Sequence, residues 1–518
     1  MNTEWADAGR LAGLREDLVV TGERARIPVE APFTGEEIAE LPAGTEADVE
    51  AAVAQVQDAQ ESWAERSVAE RTAVLDRYAD RVLDAQRDVL DLAQLESGKS
   101  RRDAFEEVLD VAATADHYAN VAEDLLASER RSGVIPGLVR PTVHRHPKGV
   151  VGIISPWNYP VTLAISDALP ALAAGNGVVL KPAEQTTHVA LLARRLLVEA
   201  GLPPELFAVV SGEGERVGAA LVDHVDYVAF TGSTRAGREV AAAAGRNLVD
   251  CSLELGGKNP LLVLDDADPQ KAAAGAVRAC YANAGQLCIS TERLYVHDDV
   301  YDDFRDAFVA AARDLRLGTG FSYGPEMGSL QNEPQLRKTV EHVEDAVEKG
   351  ADVLAGGRER PDLGPYCYEP TVLEGVTEGM TAYDEETFGP VASLYRVDSV
   401  DEAVARANDS EYGLNASIWT GNPERGASVG RRIDCGTVNV NEGYAAAWAS
   451  IDAPMGGMGD SGVGRRHGDE GLLRFTEAQT VAVQRGPRVD PGPLPQALWA
   501  KAMTAGTRLL GRLPGWLR

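Results

Sequence analysis

Between residues 47 and 127 apolar side chains recur every three or four positions, as in ADVEAAVAQVQDAQESWAE and RTAVLDRYADRVLDAQRDVLDLAQ. This spacing predicts amphipathic helices. At residue 149 the pattern changes. Short β-branched runs, GVVGIIS, GVVLK, FAVVS and VDYVAFT, alternate with helix-patterned stretches at 163–174, 187–200, 214–222 and 235–244. Strands that are apolar on both faces and alternate with helices belong in a parallel sheet covered on both sides. A second series runs from NPLLVL at 259 through RLYVH, ASLYRV and ASIWT to GTVNVN at 436. The pattern therefore predicts an α/β chain of two doubly wound parallel-sheet domains, meeting near ELGGKNP with a ligand cleft between them.

A length of 518 residues, 44% of them hydrophobic, agrees with more than one domain. The formal charge is −30, and only eight of the 50 basic residues are lysines. Such a field opposes nucleic acid and anionic membranes as partners. It also predicts a fold that depends on salt to screen its self-repulsion. Thermal melting is expected to occur several degrees lower in dilute buffer than in molar salt; an unchanged midpoint would refute the reading.

The five cysteines, 251, 280, 288, 367 and 435, form no C-x-x-C, and the eight histidines show no ligand spacing, so neither disulfides nor a metal site is expected. The start, MNTEWADAGR, lacks a basic region followed by an apolar one, and no apolar run is long enough to span a bilayer. A cytoplasmic protein is the expectation. Residues 491–518 differ from the rest: Lys501, Arg508, Arg512 and Arg518 are their only charges after the first proline, set among Leu and Trp. They read as a basic amphipathic tail. Docking on the chain's own acidic surface or on a neighbouring subunit is favoured over a membrane surface, which the overall charge repels.

Candidate chemistry centres on Cys288 in CYANAGQLCIS, behind Ala284, Gly285 and Gln286, a stretch too polar for a core. A thiolate is strongly nucleophilic and leaves readily from a thioester, so it suits covalent catalysis through a tetrahedral adduct. A free thiol has a pKa of about 8.5, and the site is expected to favour its ionised form. Glu254, at the end of an apolar strand and followed by Gly256 and Gly257, reads as a base. Asn158, on a loop after a strand, reads as an oxyanion donor alongside the Cys288 backbone N–H. GEGERVG at 212–218 is a weak dinucleotide fingerprint because its last glycine comes late.

Read jointly and in order, SPWNYP (155–160), KPAEQT (181–186), FTGSTRAG (230–237), ELGGKNP (254–260), NAGQLC (283–288) and EETFGP (385–390) resemble the NAD(P)-dependent aldehyde dehydrogenase superfamily. The 34-residue spacing from Glu254 to Cys288 fits that family. The resemblance implies that Cys288, Glu254 and Asn158 are catalytic. It implies a dinucleotide held by Ile154, Ser155, Pro156, Trp157, Gly232, Ser233 and Leu255. Lys181 and Glu184 would hold the adenine ribose, and Glu386 and Phe388 the nicotinamide ribose. A carboxylate at 184 accepts from both ribose hydroxyls and repels a 2′-phosphate, so NAD is expected over NADP. The implied division is a cofactor domain at 1–124 and 148–255, a catalytic domain at 256–455, and a small β oligomerisation arm at 125–147 and 472–490. Homodimers or homotetramers are expected.

Within the superfamily the wording PKGVVGIISPWNYP and EGYAAAWASIDAPMGGMGDSGVGRRHG resembles the succinate-semialdehyde dehydrogenase branch. Members of that branch use arginines at positions that are Ser166 and Ala282 here. Carboxylate recognition is then expected from Ser290, Arg293 or Tyr444. Alternatively, Tyr444 and Trp448 line an apolar funnel for uncharged aldehydes. CoA-acylating transfer is a further alternative, which the base at Glu254 opposes. Cys280 and the other three cysteines are expected to pack, and His467 in GRRHG is not expected to act as a base.

Overall fold

The computed structural model describes residues 5, 7–133, 138–485 and 490–512 of the chain. Helices Glu46–Ala64, Val68–Asp84, Gln86–Ser97 and Arg101–Leu126 occupy the expected amphipathic stretch. The pattern that reads as one helix from 71 to 94 is two, broken at Ala85, where ψ is 7°. Ser67 and Glu70 close a reciprocal cap at the start of the second helix, and the Ser100 hydroxyl accepts from Asp103 N–H at the start of the fourth.

Two main sheets follow, as the alternation predicts. The first orders its strands Gly462–Val463, Asp250–Glu254, Tyr227–Thr231, Val150–Ile154, Gly177–Lys181 and Phe207–Val209. All are parallel except Gly462–Val463, which pairs antiparallel with Asp250–Glu254. The second orders Asp352–Ala355, Thr371–Glu374, Val391–Val397, Thr291–His297, Asn259–Val263, Asn415–Trp419 and Thr437–Val440, with Asp352–Ala355 as its antiparallel edge. Strands Val150–Ile154, Gly177–Lys181, Tyr227–Thr231 and Asn259–Val263 are buried along their whole length, as sheets covered on both faces require.

The chain passes from Glu254, at the carboxyl end of one strand, to Asn259, at the start of the next sheet, in four residues. The carboxyl edge of the first sheet therefore meets the amino edge of the second, and the loops of both edges share one cleft. The short Gly462–Val463 strand, which periodicity does not reveal, carries the chain back to the first sheet beside Glu254.

A third sheet orders Thr476–Gln484, Val139–Pro147 and Glu129–Arg130, all antiparallel. Its long outer strand exposes Val481 and Val483. Of the expected arm, 134–137 and 486–489 lie outside the described residues, as do 1–4 and 6 of the first segment and 513–518 of the tail, Arg518 included. The tail forms the helix Gln496–Leu510, which buries none of its residues and leaves Leu498 and Leu509 exposed. Docking on the chain's own surface, one of the two favoured readings of this tail, is therefore corrected. Among the described residues no helix is long and apolar enough to cross a membrane.

Candidate active site

Cys288 follows a left-handed turn, with φ of 51°, 56° and 71° at Asn283, Ala284 and Gly285. A Cβ on Gly285 would stand 2.0 Å from the Gly389 carbonyl oxygen, so only glycine lets the cysteine loop lie against the 385–390 loop. Asn259 fixes the other side of the turn by donating to the carbonyls of Cys288 at 2.7 Å and Ser290 at 2.6 Å. The polar, glycine-containing stretch is thus a rigid mount for one half-buried thiol.

Two buried lysine–glutamate pairs hold the lips of the cleft, and sequence reasoning missed both. Lys99 Nζ lies 2.5 Å from Glu107, donates to the Asn158 carbonyl at 2.7 Å, and sits 4.0 Å over the Tyr159 ring. Glu107 in turn accepts from the N–H groups of Val161 and Thr162. Opposite, Lys258 lies 2.5 Å from Glu292 and donates to the Glu385 carbonyl, while Glu292 accepts from Thr387 and Phe388 N–H. One pair clamps the loop of Asn158, the other the loop of Glu386 and Phe388. No periodicity marks these residues, because each works through a partner distant in sequence.

One of two cavities that Cys288 lines, about 690 Å³, is bordered by Pro156, Trp157, Asn158, Thr231, Gly232, Ser233, Glu254, Leu255, Gly256, Cys288, Glu386 and Phe388. Cys288, Glu254 and Asn158 thus meet on one wall. Gln335 and Lys338, from the helix Glu333–Glu348, also line it and were not foreseen. Gln335 donates to the carbonyls of Thr387 and Phe388. The rings of Trp157 and Phe388 meet edge to face across the cleft at 5.6 Å.

The residues present fit a dinucleotide. Ser233 caps the helix Thr234–Asn247, presenting N–H groups suited to phosphate. A Cβ on Gly256 would lie 2.6 Å from Glu386, so the glycine keeps the cavity open there. Glu386 accepts from Gly257 N–H at 2.9 Å. The Ser155 hydroxyl is buried without a protein partner. Ile154 and Lys181 end adjacent strands, and Lys181 Nζ contacts Glu184 at 3.0 Å outside the lining of this cavity. The 212–218 segment forms a π-helical turn at Gly214–Gly218 rather than a phosphate loop.

The electrostatics correct one expectation. Burial pushes the Cys288 thiol up to about 12, and Glu386 and Glu254 push in the same direction, with Arg466 opposing. These groups together favour the protonated thiol. Burial also raises Glu254 to about 7 against the pull of Arg466 and Arg474, and its Oε1 has no protein partner. Burial raises Glu386 to about 7 as well.

Cys288 and Asn158 also line a second cavity of about 500 Å³, with Glu106, Asp110, Tyr159, Thr162, Leu163, Tyr444, Trp448, Arg466 and His467. Tyr444 and Trp448 are where the sequence expects them, although the Tyr444 hydroxyl donates to Glu106. Ser290 and Arg293 are elsewhere, and their assignment to the pocket is corrected. The Ser290 hydroxyl donates to the Ala279 and Cys280 carbonyls, and the Arg293 guanidinium is spent on carbonyls of Lys258, Arg406 and Ala407. His467 does reach this cavity, but burial lowers it to about 3, so its neutral ring is a poor base. Cys280 packs in the core against Thr291, and Cys367 and Cys435 are buried.

Residues 19–481 match the family model described as the aldehyde dehydrogenase family. A relative in Mycolicibacterium smegmatis, "Putative succinate-semialdehyde dehydrogenase [NADP(+)]", is 51% identical over 514 residues, covering 98% of this chain and 99% of the relative. The mitochondrial succinate-semialdehyde dehydrogenase of Arabidopsis thaliana is 37% identical over 88% of this chain and 86% of its own. A solved structure of a betaine aldehyde dehydrogenase point mutant from Staphylococcus aureus in complex with NAD+ superposes with a TM-score of 0.86 at 30% identity, covering 91% of this chain and 97% of that one.

Proposed function

The chain belongs to the aldehyde dehydrogenase family, and on that premise we propose that it oxidises succinate semialdehyde to succinate with NAD. The observation that carries the reading is the convergence of Cys288, Glu254 and Asn158 on one cavity fitted to a dinucleotide, with Cys288 and Asn158 also lining a second cavity of mixed apolar and polar side chains.

In this reading the Cys288 sulfur attacks the aldehyde carbon. Asn158 steadies the oxyanion with an amide hydrogen, its nitrogen also donating to the Gln286 carbonyl at 3.1 Å. When bound, the oxidised dinucleotide supplies the hydride acceptor and a positive charge beside the thiol. Loss of hydride from the adduct leaves a thioester on Cys288, and Glu254 deprotonates the water that hydrolyses it. A base held ready for water sets hydrolysis above transfer to CoA.

The NAD preference rests on Glu184, whose carboxylate lies beside Lys181 at the end of its strand. Relatives carry NADP(+) in their names, so the cofactor preference is the part of this reading that most needs a direct test. The test is an aldehyde panel in high salt without CoA, read by reduced-nicotinamide absorbance with each cofactor. We expect kcat/KM to favour NAD by about tenfold or more, and Glu184→Ser to erase that margin by removing a like-charge repulsion. A lower KM for NADP in the unaltered enzyme would overturn the assignment.

The same reading makes the chain a homodimer or homotetramer, joined through 125–147 and 472–490. The exposed valines of the Thr476–Gln484 strand support an arm that pairs with a neighbour. The C-terminal helix is assigned to a neighbouring subunit. A domain of residues 1–124 and 148–255 serves the cofactor and 256–455 the chemistry. Five unpaired cysteines fit a reducing compartment, the cytoplasm.

A further inference from the structure

The second cavity gathers buried polar atoms with no protein partner, the hydroxyl of Tyr159, Nε of Arg466 and Nδ1 of His467, beside Thr162 and Asp110, which interact with one another. Buried polar groups are nearly always satisfied, so three orphans around one cavity call for a polar occupant, ligand or water. Beneath them lie two buried arginines, Arg466 and Arg474. Asp167 is shared by two buried arginines, at 2.6 Å from Arg474 and 3.1 Å from Arg466. Arg474 has a second partner in Ser252. Asp167 bridges the two guanidiniums, Glu254 and Asp110 attract Arg466 from farther off, and Arg466 borders the cavity with its Nε unpaired.

We propose that Arg466, with the hydroxyls of Tyr159 and Thr162, receives the distal carboxylate of an aldehyde acid whose carbonyl lies at Cys288. This rests on the succinate-semialdehyde reading and names its specificity residues. It also resolves the absence of arginines at 166 and 282. Ser166 donates instead to Asp110 at 2.7 Å, and Ala282 sits in an apolar cluster with Tyr159, Leu163 and Leu287. The cation comes from the far end of the chain, brought in by the strand Gly462–Val463.

Of the acids around the cavity, Asp110 is the one that bears on an anion. Glu106 is occupied by Arg278 and the Tyr444 hydroxyl. Asp110 is raised to about 6 by burial, so near neutral pH it opposes an anion unless it takes up a proton when the anion binds. Glu254 faces the sulfur from the other cavity, and His467 is uncharged.

The experiment compares kcat/KM for succinate semialdehyde, butanal and 4-aminobutanal at saturating cofactor, with succinate as a product inhibitor. An unaltered enzyme that does not prefer succinate semialdehyde to butanal overturns the substrate reading itself; preference for 4-aminobutanal overturns both. Given the preference, Arg466→Met, Tyr159→Phe and Thr162→Val are expected each to lower the succinate semialdehyde to butanal ratio at least about tenfold, through KM more than kcat. The succinate inhibition constant should rise in step, and Arg466→Lys should restore part of the ratio. A parallel fall for both aldehydes, or an unchanged ratio in the two hydroxyl variants, overturns the assignment. Those variants leave the Arg466–Asp167–Arg474 cluster in place, so they decide the matter even if Arg466→Met does not fold.

Discussion

Replacing Cys288 with alanine is expected to abolish aldehyde oxidation, by about ten-thousand-fold or more, while binding of the dinucleotide persists. The expectation follows from how little else in the cleft can form a covalent adduct. Cys280 lies in the core, with its sulfur against Thr291 and burial pushing it to about 12. His467 is held neutral by burial and by the Arg466 charge. The loop carrying Cys288 is fixed by Asn259, by the left-handed turn at 283–285 and by contact with Gly389, none of which uses the sulfur. Loss of the thiol should therefore leave the cavity intact. Reduced-nicotinamide absorbance gives the activity and quenching of protein fluorescence on cofactor addition gives the binding. Retained turnover in the alanine variant would end the covalent mechanism. Cys288→Ser should be almost as inactive, because a hydroxyl ionises less readily than a thiol in the same buried site.

What the chain discloses before folding depends on the range of the interaction. The strands of both sheets are continuous apolar runs, and their alternation with helices is local, so both appear in the sequence. Asp352–Ala355 and Thr371–Glu374 are short and half polar at their ends, and no pattern marks them. The candidate catalytic residues are visible because each sits beside a turn or glycine with a steric purpose, as Cys288 does near Gly285. The residues that hold those loops are not visible. Lys99 reaches Asn158 across 59 positions and Lys258 reaches Glu385 across 127. Arg466 looks like one of two adjacent loop arginines until the strand before it pairs with Asp250–Glu254. Arg293 shows the converse: a charge close to the nucleophile in sequence that the sheet turns away and satisfies on carbonyls. Nearness along the chain predicted the wrong cation because strand pairing, not sequence distance, decides which side chains share a cavity.

Glu254→Gln should separate the two halves of the reaction. If Glu254 serves the thioester, the variant is expected to release about one equivalent of reduced cofactor per site in a rapid first phase. It should then turn over about a hundred-fold or more slowly. Glutamine keeps the size of the side chain but accepts no proton at neutral pH, so hydride loss proceeds and hydrolysis stalls. The pH dependence supplies an independent check. Burial raises Glu254 to about 7, and a carboxylate acts as a base only when ionised, so kcat should climb as pH rises through that value. Glu386 is raised to about 7 by the same cause, and its titration overlaps. The glutamine variant decides between them: the limb belonging to hydrolysis disappears with Glu254 and survives if it belongs to Glu386. A variant with neither a burst nor turnover would instead place Glu254 before hydride loss, as the acceptor of the Cys288 proton. That proton is tightly held, with burial and two carboxylates all opposing its departure. Its release therefore has to accompany attack on the carbonyl or follow the arrival of positive charge in the cleft, and the rate of the first phase as a function of pH reports which.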